Sequence, residues 1–157
     1  MKGGSPLVVP LLPSWRGDAN PCSMPESTLP CILIVDDNRD NANIIRDYLE
    51  AMHEYRTTVA YDGDDALRLF EAERPSLVLL DVMMPGRDGW EVCRAMKANP
   101  VLGTRVRIIM VTALDDVLDK RTAIESGADD FLEKPLDFKK LALAVRRNLA
   151  TLASRVA

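Results

Sequence analysis

The sequence predicts an α/β fold: a doubly wound, five-stranded parallel sheet with helices on both faces. Three observations predict it. From Cys31 onward, five short apolar runs alternate with amphipathic segments, the pattern of strands joined by helical crossovers. The runs Ile32-Leu33-Ile34-Val35 and Leu77-Val78-Leu79-Leu80 lack polar alternation, so their strands should be covered on both sides. The segments between the runs each carry one apolar stripe at helical spacing.

The first strand is read at Ile32 to Val35, and the helix after it carries Ala42, Ile45, Leu49 and Met52 on one face. Arg56 to Ala60 is the second strand, followed by a helix striped with Ala66, Leu67 and Phe70. The third strand is Leu77 to Leu80, and its helix presents Val92, Cys93 and Met96 before Pro100 ends it. Ile108 to Val111 is the fourth strand, and the fourth helix stops at Gly127, well placed as a left-handed C-cap. A short fifth strand, Asp130 to Leu132, leads to Asp137 as N-cap of a fifth helix, with Phe138, Leu141, Ala142, Val145, Leu149 and Leu152 on one face.

Composition narrows the function. The 157 residues are 47% apolar, 28% charged and 5% aromatic, as in soluble globular domains and unlike disordered or membrane chains. No apolar run approaches the roughly 20 residues of a spanning helix. Twenty basic residues against 24 acidic ones leave a net charge of −4, without the basic footprint of a nucleic-acid binder. Cys22, Cys31 and Cys93 have no Cys-x-x-Cys spacing, and His53 is the single histidine. Neither a disulfide framework nor a zinc cluster is therefore expected, and the location is read as cytoplasmic. His53 reads as a surface residue near a helix end, Cys93 and Met96 as core, and Trp90 as packed at the sheet edge or partly exposed. Met83 and Met84 read as loop packing rather than a redox device.

Six of the ten prolines fall in the first thirty residues, so residues 1–30 read as a disordered leader rather than a cleaved signal peptide. Met24 offers an alternative translation start. Residues 31–150 form the domain, and 151–157 the end of the fifth helix or a connector stub.

In an open parallel sheet the ligand site lies beyond the carboxyl ends of the strands. Those ends deliver Asp36-Asp37-Asn38, Asp81, Thr112-Ala113 and Glu133-Lys134-Pro135. Like charges about 4 Å apart repel by roughly 4 kcal/mol at an effective dielectric near 20, so three clustered carboxylates call for a cation. Mg²⁺ suits an all-oxygen donor set too small for a full cage. Lys134 adds a second positive charge and Thr112 a hydroxyl donor, and an aspartate held among them is a nucleophile for phosphorus.

Together these segments, with Pro85-Gly86-Arg87-Asp88-Gly89 after Asp81 and Phe131 before Lys134, resemble the receiver domain of bacterial two-component response regulators. The resemblance implies the flavodoxin-like strand order 2-1-3-4-5 and a phosphorelay switch with Asp81 as phosphoacceptor. By the same resemblance, Mg²⁺ would be held by Asp36, Asp37, Asp81 and the backbone carbonyl of Met83. Lys134, joined to Pro135 by a cis bond, would meet the phosphoryl group, while Thr112 and Phe131 would carry the switch. The implied donor is a histidine kinase or histidine phosphotransfer protein. The implied output is an unidentified protein, or a second copy, met by the fourth helix, fifth strand and fifth helix. Phe131 stands where the family often has tyrosine. Met83 and Leu114, apolar where the family governs water access, imply slow loss of phosphate.

Other readings compete. Asp-Val-Met-Met-Pro-Gly-Arg-Asp-Gly also resembles receivers that precede diguanylate cyclases, making the chain a regulatory module of a larger enzyme. Within the sequence given, the fifth helix leaves no room for an output domain. An aspartyl phosphatase of the dehalogenase type would need a second acid where Met83 stands, and no P-loop motif is present. The chain is thus expected not to be an enzyme beyond promoting its own phosphoryl transfer and slow autodephosphorylation. A receiver acting by binding alone would not need Asp36, Asp37, Asp81, Thr112 and Lys134 complete.

Overall fold

The computed structural model describes residues 29–113, 121–122 and 124–156. Nearly all of the 1–30 leader, Leu114 and most of the fourth predicted helix lie outside the described residues. Strands β1 (Cys31–Val35), β2 (Arg56–Ala60), β3 (Leu77–Asp81), β4 (Arg107–Thr112) and β5 (Asp130–Glu133) alternate with helices α1 (Arg39–Glu50), α2 (Gly63–Glu73) and α3 (Gly89–Lys97). The fifth predicted helix is α4 (Phe138–Val156). All strand pairs are parallel, in the order β2-β1-β3-β4-β5. This is the doubly wound, flavodoxin-like order 2-1-3-4-5.

The unbroken apolar runs are buried on both sides. Leu33, Val35, Val78, Leu80, Ile108 and Met110 point into one core, under α2 and α3. Ile32, Ile34, Leu77, Leu79 and Ile109 point the opposite way, under α1 and α4. Alternate side chains of a strand face opposite sides, so a continuous apolar run feeds two cores at once. Full burial stabilises each such side chain by about 1.5–3 kcal/mol.

Four helices begin on a side-chain cap at the sheet's carboxyl edge. The Asn38 side chain accepts from the N–H groups of Asp40 (3.0 Å) and Asn41 (3.1 Å). Asp62 accepts from Asp65 N–H at 2.7 Å, and Asp88 from Glu91 N–H at 2.9 Å. Asp137 accepts from Lys139 N–H at 2.9 Å, as its position in the sequence predicts. These caps satisfy orphan helix donors and fix where each loop leaves its strand. Gly127 has φ +92°, matching its reading as a C-cap. His53 is exposed just past α1.

Two expectations need correction. Cys31 is disulfide-bonded, a link that the sparse cysteine set does not lead one to expect, while Cys93 is free and buried. Loop packing holds for Met84, which is 7% exposed, but not for Met83, whose exposure is 63%. The loop turns one methionine into the core beneath α2 and α3 and leaves its neighbour in solvent.

Candidate functional site

The ends of β1, β3, β4 and β5 bring Asp36, Asp37, Asp81, Thr112 and Lys134 to one edge. Asp36 follows β1 directly, and its N–H is pinned to Ala60 O at 3.1 Å. Asp81 is the last residue of β3, in register with Val111 of β4. Both acids are buried, at 4% and 3% exposure, whereas Asp37 is exposed. One carboxylate oxygen from each of the three lies within 4.8 Å of the others.

Lys134, directly after β5, reaches this cluster from the β5 side of the sheet. Its Nζ lies 3.1 Å from Asp81 Oδ1, and its backbone N–H donates to Thr112 O at 2.7 Å. The Lys134–Pro135 bond is cis. Thr112 itself is buried at the end of β4. Phe131, in β5, is half-buried and packs against the core beneath α2 and α3. Met83, expected to offer its carbonyl, stands in the loop after β3, with its N–H donating to Asp81 Oδ1 at 3.2 Å.

Burial pushes the Asp36 carboxyl up to about 6, with the negative charges of Asp81 and Asp37 adding to the effect. The N–H of Asn38, 2.9 Å from Asp36 Oδ1, and the Lys134 charge pull the other way and do not cancel it. A desolvated carboxylate beside two others is relieved by a cation that accepts oxygen ligands. The donor set contains only oxygens, so it fits a hard divalent ion rather than one that prefers sulfur or imidazole.

Sequence reasoning missed two features that shape this site. Asn38 serves twice, capping α1 with its side chain and steadying Asp36 with its N–H. A cavity of about 270 Å³ opens beside the acids between α1 and the Lys134–Phe138 segment, lined by Asp36, Asn41, Ile44 and Lys134 among others. The Asn38 bonds reach only two or three residues along the chain, so an Asn just before a helical stripe is the signal that could have found them. The cavity left no such signal, because it depends on how α1 stands against the loop after β5.

The comparisons with known proteins agree with this geometry. Residues 32–146 match the response regulator receiver domain family. A putative response regulator from Chloroflexus aurantiacus is similar at 32% identity and a TM-score of 0.73, over 78% of this chain and 99% of that one. The signal receiver domain of a signal transduction histidine kinase from Syntrophus aciditrophicus is 38% identical, with a TM-score of 0.71, over 78% of this chain and 91% of that one. A CheY-like receiver domain protein from Methanospirillum hungatei is 26% identical, with a TM-score of 0.73, over 82% and 99%. With the family matched across most of its length and its carboxylates and lysine gathered at one strand edge, the chain belongs to the response regulator receiver domains.

Proposed function

We propose that the chain is a phosphorylation-dependent switch of a two-component phosphorelay, taking its phosphoryl group on Asp81. The observation that carries this reading is the Lys134 ammonium 3.1 Å from Asp81 Oδ1, within a cluster of three carboxylates. An Asp81 oxygen forms the new bond to phosphorus as the donor's bond to phosphorus breaks, leaving an acyl phosphate. Lys134 offsets charge on the transferring group, and burial keeps bulk water from competing. Asp36, Asp37, Asp81 and the Met83 carbonyl would hold Mg²⁺, which supplies further charge neutralisation when bound.

The phosphodonor on this reading is a histidine kinase or histidine phosphotransfer protein. Thr112 and Phe131 would relay the change to β5, α4 and the segment ending at Gly127, altering contacts with an output protein or a second copy. The chain would act as a switch in the cytoplasm, not as an enzyme on a separate substrate. A second reading, a receiver module of a longer regulator such as a diguanylate cyclase, has one observation in its favour. The matching part of NtrX from Brucella abortus is 28% of that chain, so this fold also serves inside larger proteins.

Incubation with Mg²⁺ and acetyl phosphate is expected to add one phosphoryl mass to the wild type and none to Asp81→Asn, read by intact-protein mass spectrometry. Equal labelling of both proteins, or of neither, would refute the assignment. The phosphorylated wild type is also expected to decay slowly, because the apolar Met83 side chain cannot orient an attacking water. A half-life of seconds in Mg²⁺ without a phosphatase would contradict this.

A further inference from the structure

We infer that Met83 is an oxidation site whose sulfoxide shortens the life of the phosphorylated state; this regulation of the acceptor rests on the function proposed above. Three observations meet at this residue. Its side chain is 63% exposed, whereas Met84 is 7% exposed and Met96 and Met110 are fully buried. Its N–H donates to Asp81 Oδ1 at 3.2 Å, which fixes the residue against the acceptor. Its side chain borders an open cavity of about 460 Å³ shared with Val82, Met84, Pro85, Asp88 and Trp90, so a small oxidant and water both have access.

A thioether in solvent gains little from burial and is open to two-electron oxidation by a peroxide. The sulfur attacks one peroxide oxygen, an S–O bond forms and the O–O bond breaks. Sulfur is oxidised to the sulfoxide, and the other oxygen leaves with the protons as water. The product carries a strong hydrogen-bond acceptor where the thioether had almost none. On a residue two positions from the acceptor and tied to its carboxyl through the backbone N–H, that oxygen can hold a water which the unmodified side chain cannot, and one added hydrogen bond corresponds to about 2- to 10-fold in rate. Met84 is shielded by its packing and does not share the chemistry.

The test uses the full chain treated with dilute hydrogen peroxide. Peptide mass mapping should find one added oxygen on Met83 well before Met84, Met96 or Met110. After phosphorylation by acetyl phosphate, the oxidised protein should lose its phosphoryl group about 2- to 10-fold faster than the untreated protein, and methionine sulfoxide reductase should restore the slower rate. Met83→Leu should keep one half-life with and without peroxide, and Met83→Gln should decay fast without it. Oxidation of Met84 at the same rate as Met83, or an unchanged half-life once Met83 is oxidised, would overturn the inference. Failure of the untreated wild type to take any phosphoryl group would instead sink the proposed function, and the oxidation map reads independently of that outcome.

Discussion

Gly89→Ala is expected to destabilise the domain by about 3 kcal/mol or more and to abolish phosphoryl acceptance with it. A β-carbon at this position would stand 2.3 Å from Asp81 O and 2.8 Å from Val82 Cα. Both are backbone atoms of the segment that ends β3, so neither can swing aside as a flexible side chain would. Gly89 opens α3, and its N–H donates to Val82 O at 3.0 Å, which draws the helix start tightly onto the acceptor strand. Relief of the clash must push α3 outward or displace the Asp81 peptide, and either movement disturbs the position of the carboxyl group. Gly86 provides the control. Its φ is +81°, but an added β-carbon meets nothing within 4 Å, so Gly86→Ala should cost only the left-handed strain of about 1–2 kcal/mol. Urea denaturation of the two variants decides the matter. Equal midpoints for Gly89→Ala and the wild type would show that the close approach does not constrain the fold.

Much of this architecture is legible in the sequence because it depends on local pattern. The runs at β1 and β3 name strands buried on two faces, and the polar residue that ends each run falls at the sheet edge by construction. Asp62, Asp88 and Asp137 are caps that chain position alone can suggest. Strand limits are less sharp: β1 begins at Cys31 and β4 at Arg107, each one residue earlier than hydrophobicity suggests. The cause is backbone pairing, since Cys31 registers with Arg56 and Arg107 with Leu77, and pairing is indifferent to side-chain polarity. Contacts between distant segments are not legible at all. Arg107 donates from Nε to Asn148 Oδ1 at 3.0 Å, and Asn148 donates in turn to Asp130 Oδ2 at 2.9 Å. Asp129 meanwhile receives Lys97 at 2.7 Å and Arg107 at 3.2 Å. In the sequence, Asn148 looks like a gap in an apolar stripe; in the fold it is buried because two strands bring it partners. The exposure of Met83 beside buried Met84 is equally hidden, since the loop's course rather than its composition decides which of the pair faces inward.

Without a divalent cation, the wild type is expected to lose stability as pH rises from about 4 to about 7, and Asp36→Asn to lose much less. The folded Asp36 carboxyl binds its proton up to about pH 6, against an ordinary value of 3.8, chiefly because it is buried and secondly because Asp81 and Asp37 stand near it. Between those two values the folded chain holds a proton that the unfolded chain has released. Stability from this source is therefore complete below about pH 4 and is lost as pH rises through about 6, up to about 3 kcal/mol in all. An asparagine amide in the same place carries no charge to desolvate, and its oxygen can still accept the Asn38 N–H. At pH 8 without metal, Asp36→Asn should accordingly be the more stable protein, by about 1–3 kcal/mol. Added Mg²⁺ should reverse the ranking, since only the wild type presents all three carboxylates, and a ligand of the folded state alone stabilises it by mass action. The same ion should raise the wild-type melting temperature strongly at pH 8 and weakly at pH 5, where the proton on Asp36 competes with it. Melting curves of both proteins at the two pH values, with Mg²⁺ and with a chelator, test every part of this. An Mg²⁺ shift of equal size at pH 5 and pH 8 would mean that Asp36 is not the group whose proton the cation displaces.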